Sequence, residues 1–189
     1  MTAADDLAAT VRRISDLLRR FSIAFHVTGG IACSYHGEPR FTQDIDIVID
    51  PVAARSQLEH LLRAMEGAYL VDPVLARAAV ERGGVFQALD LTSFFKVDVY
   101  PRELIPGELG RAEPCEVFPG VVVPLVSHVD AILSKLVWVR KGSHRSRRDV
   151  RSLHAFLDAR HDQELADRAR ALQLDLLLRE VLAESEPEE

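Results

Sequence analysis

Residues 44–50 read Asp-Ile-Asp-Ile-Val-Ile-Asp, acid and aliphatic side chains alternating with a period of two. In an extended strand successive side chains point to opposite faces. Ile45, Ile47 and Ile49 therefore share one face, and Asp44, Asp46, Val48 and Asp50 share the other. A helix would scatter these residues around its axis, so the stretch must be a strand with its isoleucine face in a core. That leaves carboxylates in the most apolar run of the first third of the chain. A buried, isolated charge costs several kcal/mol. A metal ion, an arginine or water has to offset that cost, and the alternation leaves all three open.

The flanking patterns place this strand in an α/β (α+β) fold. Apolar residues at Leu7, Val11, Ile14, Leu17 and Leu18 give residues 5–21 a helical period. A short strand, 25–27, stops at Gly29-Gly30, and a helical segment over 31–35 closes at Gly37. The acidic strand is expected over 42–49, ended by Pro51, with a helix over 52–65 turning Leu58, Leu61 and Leu62 inward. VFQALDL and FFKVDVY, separated by Thr92-Ser93, predict an antiparallel hairpin. One further strand is expected over 120–126, broken by Pro124. Ser127, with Asp130 three residues on, reads as an N-cap. The helix it opens carries Val129, Ile132, Leu133, Leu136 and Val137 on one face, and helices over 147–159 and 163–183 follow. The expectation is a mixed β-sheet head flanked by helices (1–126), a C-terminal helical bundle packed on it (127–185) and an acidic tail (186–189).

Composition narrows the function classes. At 189 residues and 48% apolar content, the chain can bury one ordinary core. Its longest apolar runs, GVVVPLV and LDLLL, are far too short to cross a bilayer, and its acidic opening does not read as a signal peptide. Cys33 and Cys115 lack metal-ligand spacing and are expected as free thiols in the cytoplasm. A net charge of −6 argues against a general polyanion-coating protein. Residues 140–151, RKGSHRSRRDVR, are nonetheless strongly basic, which suits one anionic substrate at one site or, failing that, a solvated helix face.

Asp44 and Asp46 lie about 7 Å apart on their strand face. Without a cation, their repulsion would keep a proton on one of them. Lys96-Val97-Asp98-Val99-Tyr100 repeats the alternation, and a neighbouring strand is only about 4.8 Å away, so Asp98 can join the pair. Three aspartates make an oxygen-only site suited to Mg²⁺ or Mn²⁺; the alternative is an edge strand with solvated acids. Gly29-Gly30, between a strand and a helix, exposes backbone N–H groups to an anion. Alone, such a pair is a turn. Combined with the aspartates, it supplies both halves of a nucleoside-triphosphate (NTP) site.

Thr28-Gly29-Gly30, followed by Gly37-Glu38-Pro39-Arg40-Phe41-Thr42-Gln43-Asp44-Ile45-Asp46, resembles the signature of polymerase-β-type minimal nucleotidyltransferases. In detail it is most similar to AbiEii-like toxin nucleotidyltransferases, whose pattern reads GG, then G-x-x-R-x-T-x-D-I-D. That family also carries a lysine on a later helix and an aspartate on the next, where Lys135 and Asp149 stand here. The resemblance spans residues 25–157. One departure is that the superfamily's Gly-Ser is Gly29-Gly30, leaving Ser34 as either a substitute hydroxyl or a small helix residue.

The resemblance implies attack of an acceptor hydroxyl on the α-phosphate of an NTP, with pyrophosphate leaving. Asp44 and Asp46 would hold two Mg²⁺ ions roughly 4 Å apart, and Asp98 would complete a metal shell or accept the hydroxyl proton. Lys135 would neutralise triphosphate charge, unless it is an ordinary solvated lysine. Arg40 would contact phosphate or buttress Asp44, Thr42 would point its hydroxyl into the cleft, and Asp149 would be a site residue or a surface ion pair. His26, His36 and His128 are expected to be structural or on the surface, and Trp138 is expected in the core. The implied function is a toxin that modifies RNA at the tRNA 3′ acceptor end, gripping it through residues 140–151 and restrained by a cognate antitoxin. An antibiotic nucleotidyltransferase would instead need an acidic pocket for a cationic drug. A non-catalytic nucleotide-binding partner protein is the third reading, and the intact aspartates argue against it.

Overall fold

The computed structural model describes residues 3–184. Helix α1 (Ala3–Arg20) buries Leu7, Val11, Ile14 and Leu18 along one face. Strand β1 (Phe25–Thr28) runs straight into α2 (Gly29–His36), and β2 (Asp44–Ile49) into α3 (Pro51–Met65). Next come β3 (Tyr69–Val71), α4 (Pro73–Arg82), β4 (Phe86–Asp90), β5 (Lys96–Tyr100) and α5 (Glu108–Arg111). The strands finish with β6 (Glu113–Phe118) and β7 (Val121–Leu125). Four helices follow: α6 (His128–Arg140), α7 (Arg145–Ala155), α8 (Asp162–Ala171) and α9 (Asp175–Ala183).

The strands form one mixed sheet in the order β3-β4-β5-β2-β1-β7-β6. β2 is central, antiparallel to β1 and parallel to β5. Its isoleucines have no solvent exposure at all, whereas Asp44 and Asp46 on the opposite face are half-buried. The period of two therefore separates core from cleft, as the alternation requires. Asp50 does not continue the acidic face: its carboxylate accepts the Ala53 N–H at 2.6 Å and caps α3, with Pro51 at the first helical position.

Several elements differ from the sequence reading. β3 and α4 were not expected, because a three-residue strand shows no measurable period. Their signals are nonetheless local: Asp72 accepts the Val74 and Leu75 N–H groups, and Gly83, at φ +66°, closes α4 in the left-handed region. The single strand expected over 120–126 is half of a β6–β7 hairpin. Pro124 does not break it: it faces Pro114 of the edge strand β6, and the pairing of β7 with β1 on its other side is at Leu125, so no ladder partner is left waiting for a Pro124 N–H. β2 begins at Asp44, so Thr42 precedes the strand. α7 is set two residues earlier than expected at its start and ends at Ala155. The long terminal helix is two, α8 and α9, separated at Gln173, whose φ is +55°.

A boundary at residues 126 and 127 would fall in the turn between β7 and α6, and one fully buried carboxylate spans it. Ser127 caps α6, accepting the Asp130 N–H at 3.1 Å and donating to Asp130 Oδ2 at 2.8 Å. Arg111 donates to both Asp130 oxygens, at 2.8 and 3.0 Å, and Arg168 of α8 pairs with the same group. Head and helical region are thereby locked together. The acidic tail, 186–189, lies outside the described residues.

Candidate active site

The parallel pairing of β2 and β5 sets Asp46 opposite Asp98 and Asp44 opposite Lys96. Asp98, distant in sequence, becomes the immediate neighbour of the acidic pair. Tyr100 donates its hydroxyl to Asp46 Oδ1 at 3.2 Å. The Lys96 ammonium lies 3.0 Å from Asp98 Oδ2 and 3.7 Å from Asp44 Oδ2, bridging two of the three acids. The other oxygen of Asp98, Oδ1, is buried and has no hydrogen-bond partner.

The glycines do more than expose backbone. Gly29 has φ +63°, and a Cβ there would stand 1.8 Å from Asp46 Oδ2 and 2.7 Å from Asp46 Cβ. A Cβ on Gly30 would stand 2.2 Å from the Thr42 hydroxyl. The start of α2 therefore lies directly against the acidic strand, closer than any side chain permits. Thr28, the residue before it, makes no side-chain cap, so the first N–H groups of α2 remain open to an anion. Gly29→Ala is expected to destabilise the fold by about 2 kcal/mol through left-handed backbone strain alone, and to displace Asp46 besides. Thermal melts alongside a nucleotide-transfer assay measure both effects.

The other candidate residues converge on one charge cluster. Lys135 of α6 pairs with Asp149 of α7 at 2.8 Å, and Arg40 reaches the same Asp149 oxygen at 3.3 Å. Asp149 is thus a buried junction, not a helix-surface ion pair. Thr42 donates to Asp44, at 3.1 Å from its carbonyl and 3.2 Å from Oδ1. Ser34 does not substitute for the missing serine: its hydroxyl donates to the Arg40 carbonyl and accepts the Arg40 N–H, pinning the loop before β2.

Burial pushes the Asp46 carboxyl above its ordinary range, and the charges of Asp44 and Asp98 push it further, against Lys135 and Tyr100. Among the described residues no three His, Cys, Asp or Glu side chains already converge as a metal cage, and Lys96 stands between two of the acids. The donor set still fits Mg²⁺ or Mn²⁺. It consists only of oxygens, one of them is buried without a partner, and three carboxylates crowd together with a single lysine between two of them.

Gly29, Gly30, Arg40, Thr42, Asp44, Asp46, Tyr100, Lys135 and Asp149 border a cleft of about 400 Å³, roofed by α6 and α7, while Asp98 lies behind Asp46 outside its lining. Sequence reasoning missed several of its walls. Trp138 is not in the core: it is 36% exposed and faces the cleft. Arg102 and Arg145 also line it, and among the described residues neither side chain has a hydrogen bond or ion pair. The basic segment 140–151 is partly spent inside the molecule, because Arg147 and Arg151 hold Glu180 and Glu184 of the C-terminal helix region. His36 and His128 are structural: their rings stack at 4.7 Å and each Nε2 bonds a backbone carbonyl. Burial holds His36 down to about 4, so it is neutral. His26 is fully buried, with Nε2 3.6 Å from Glu108. Both cysteines are free thiols. No helix among the described residues is long and apolar enough to cross a membrane.

The fold of this chain, a central mixed sheet flanked by helices, is shared by solved structures. One is the solution structure of the antibiotic-resistance factor ANT(2″)-Ia, with TM-score 0.59 and 15% identity over 95% of this chain and 100% of that one. Another is an antigenic nucleotidyltransferase-like protein from Paracoccidioides brasiliensis, with TM-score 0.54 and 19% identity, covering 94% and 92%. A third is the lincosamide antibiotic adenylyltransferase LnuA with lincomycin bound, with TM-score 0.51 and 13% identity, covering 77% and 94%. At these identities the likeness is one of fold. Comparison with curated proteins finds no match. The family model for the nucleotidyl transferase AbiEii toxin, of a type IV toxin–antitoxin system, matches residues 16–187. The chain belongs to that family.

Proposed function

We propose that the protein transfers a nucleotidyl group from an NTP to a hydroxyl on RNA, with the 3′ acceptor end of tRNA as target, and that it is the toxin of a pair restrained by a cognate antitoxin. The observation that carries the reading is the pairing of Asp46 with Asp98 directly beneath the glycine-started helix α2. Asp44, Asp46 and Asp98 would hold Mg²⁺ or Mn²⁺, which when bound supplies positive charge to the reacting phosphate and acidifies the attacking hydroxyl. Lys135 and the open N–H groups of α2 hold the triphosphate, whose charge grows as pyrophosphate departs. Asp149 fixes the Lys135 ammonium, and Arg40 leans on the same carboxylate. Thr42 and Tyr100 orient Asp44 and Asp46. The unpartnered oxygen of Asp98 is free to accept the hydroxyl proton or enter the metal shell; both roles use the same atom.

The acceptor assignment rests on charge. Of the carboxylates that line the cleft, Asp149 is paired with Lys135 and Arg40, Glu108 accepts the Leu104 N–H, and Asp44 and Asp46 would be taken up by the metal. Arg102 and Arg145, whose side chains are unpaired, therefore favour a polyanion over a cationic antibiotic. With Arg147 and Arg151 engaged by Glu180 and Glu184, and Arg148 4.0 Å from Glu38, Lys141 and Arg145 are the residues of segment 140–151 we assign to RNA.

Incubation with each α-labelled NTP, Mg²⁺ and total RNA tests this. Label is expected in RNA. Labelling of aminoglycoside- or lincosamide-type compounds in place of RNA would move the acceptor to small molecules. No labelling with any NTP, together with no thermal shift from NTP and Mg²⁺, would overturn the enzymatic reading.

A further inference from the structure

Trp138 is the chain's single tryptophan, and its position is anomalous for its helix. Its neighbours Leu136, Val137 and Val139 are 0%, 7% and 6% exposed, while Trp138 is 36% exposed on the cleft wall. An indole is among the most apolar side chains a protein can carry, and its π-face left at the wall of a polar cleft invites a flat partner.

The surroundings give that partner a shape. α6 presents Ser134, Lys135 and Trp138 to the same cleft, with Lys135 and Trp138 three residues apart, about 4.5 Å along the helix axis. The turn after α6 is tied back beneath the indole: Ser143 donates its N–H to the Trp138 carbonyl at 3.0 Å, and Gly142, at φ +95°, donates to Val139 at 2.8 Å. The turn that carries Ser143 is therefore fixed against the helix turn that carries Trp138. The Ser143 and Ser146 hydroxyls, 2.8 Å apart, line the same end of the cleft. Hydroxyls both donate and accept, so they can meet the edge of a heteroaromatic ring of either polarity. The Lys141 ammonium sits 4.8 Å from the indole centroid and covers one face, leaving the other for stacking. Two other aromatics line the cleft, but Tyr100 has its hydroxyl engaged with Asp46 and Phe41 lies on the loop before β2, away from the Lys135 helix, so Trp138 is the aromatic that shares a helix with the triphosphate lysine.

We infer that Trp138 is the stacking platform for the nucleobase of the NTP, with Lys135 one turn away at its triphosphate. This rests on the nucleotidyltransferase reading above and adds the base subsite to it. Stacking tolerates any base, and the two serine hydroxyls impose no fixed donor–acceptor pattern, so affinity for the four NTPs is expected to differ little.

A single tryptophan makes the test direct. The full chain is titrated with each NTP and, separately, with inorganic tripolyphosphate, all with Mg²⁺, while tryptophan fluorescence and thermal shift are followed. NTPs are expected to quench the fluorescence saturably. Tripolyphosphate is expected to raise the melting temperature without quenching. Trp138→Leu should weaken NTP binding on the order of tenfold, leave tripolyphosphate binding unchanged, and be largely rescued by Trp138→Phe. NTP-induced stabilisation with no quenching, or equal quenching by tripolyphosphate, would overturn the platform and leave the nucleotidyltransferase reading standing. Absence of any thermal shift from either ligand would overturn both. The wild-type arm requires no variant to fold.

Discussion

Asp46→Asn is expected to reduce nucleotide transfer on the order of a hundredfold or more while leaving the fold at least as stable as the wild type. The two effects have one origin. Asp46 is a half-buried carboxylate facing Asp98 across the β2–β5 ladder, with Asp44 two residues away on its own strand face. Burial and those two charges push its carboxyl upward, so the ionised form strains the folded protein. An asparagine keeps the oxygen that accepts the Tyr100 hydroxyl, fits the space beside Gly29 and removes one of three clustered charges. It also removes a negative charge that the proposed divalent ion would need. Side-by-side thermal melts and labelling assays decide the matter. An Asp46→Asn protein that is clearly less stable yet still active would contradict this account of the site. Loss of function at equal or greater stability is the pattern expected where a protein keeps a strained group for its chemistry.

Asp130→Ala is expected to be the most destabilising single change outside the apolar core, by about 3 kcal/mol. Asp130 has no solvent exposure and ties α5, the start of α6 and α8 through Arg111, Ser127 and Arg168. Removing one partner of a buried ion pair strands the others; here Arg111 and Arg168 are partly exposed and can rehydrate, which keeps the loss near the lower end of the usual range. The same group gives a pH signature. Burial raises the Asp130 carboxyl, but hydrogen bonds from Arg111, Ser127 and Arg168 outweigh that and hold it below the ordinary 3.8. A carboxyl depressed on folding adds stability that is complete above its unfolded value and disappears as pH falls through the folded one. Wild-type stability should therefore drop below about pH 4, and Asp130→Asn should show a shallower acid limb. Equilibrium unfolding across acid pH measures both. An unchanged limb in the variant would mean that Asp130 does not carry the dependence.

What could be read from the chain divides along the range of the forces involved. The alternation over Asp44–Ile49 was legible because a strand sorts its side chains by a rule needing only the next residue. Caps were legible for the same reason: Ser127 begins α6 through an atom three residues away, and the Thr92-Ser93 turn sits where Asp90 accepts its N–H groups. β3 and α4 escaped because a three-residue strand has too few positions to show a period. The long final helix was misjudged because its apolar spacing carries on through Gln173, whose left-handed backbone nothing in the pattern marks.

The candidate site was legible as an inventory of residues and not as an arrangement, and its roles remain proposals. Asp44, Asp46, Asp98, Lys135 and Asp149 could all be named, through their own patterning and through resemblance to a family. Their mutual distances could not. That Asp98 faces Asp46 depends on which strands neighbour β2 and in which register. That Asp149 is shared by Lys135 and Arg40 depends on how α6 and α7 cross. Trp138 was misplaced for the same reason: an aromatic on an apolar helix looks like core until the opposing wall proves to be a cleft. Local alternation and capping energies belong to neighbouring residues and are written in their order. Burial, ion pairing and the closeness of Gly29 to Asp46 belong to groups far apart along the chain, and come into being only when the sheet closes.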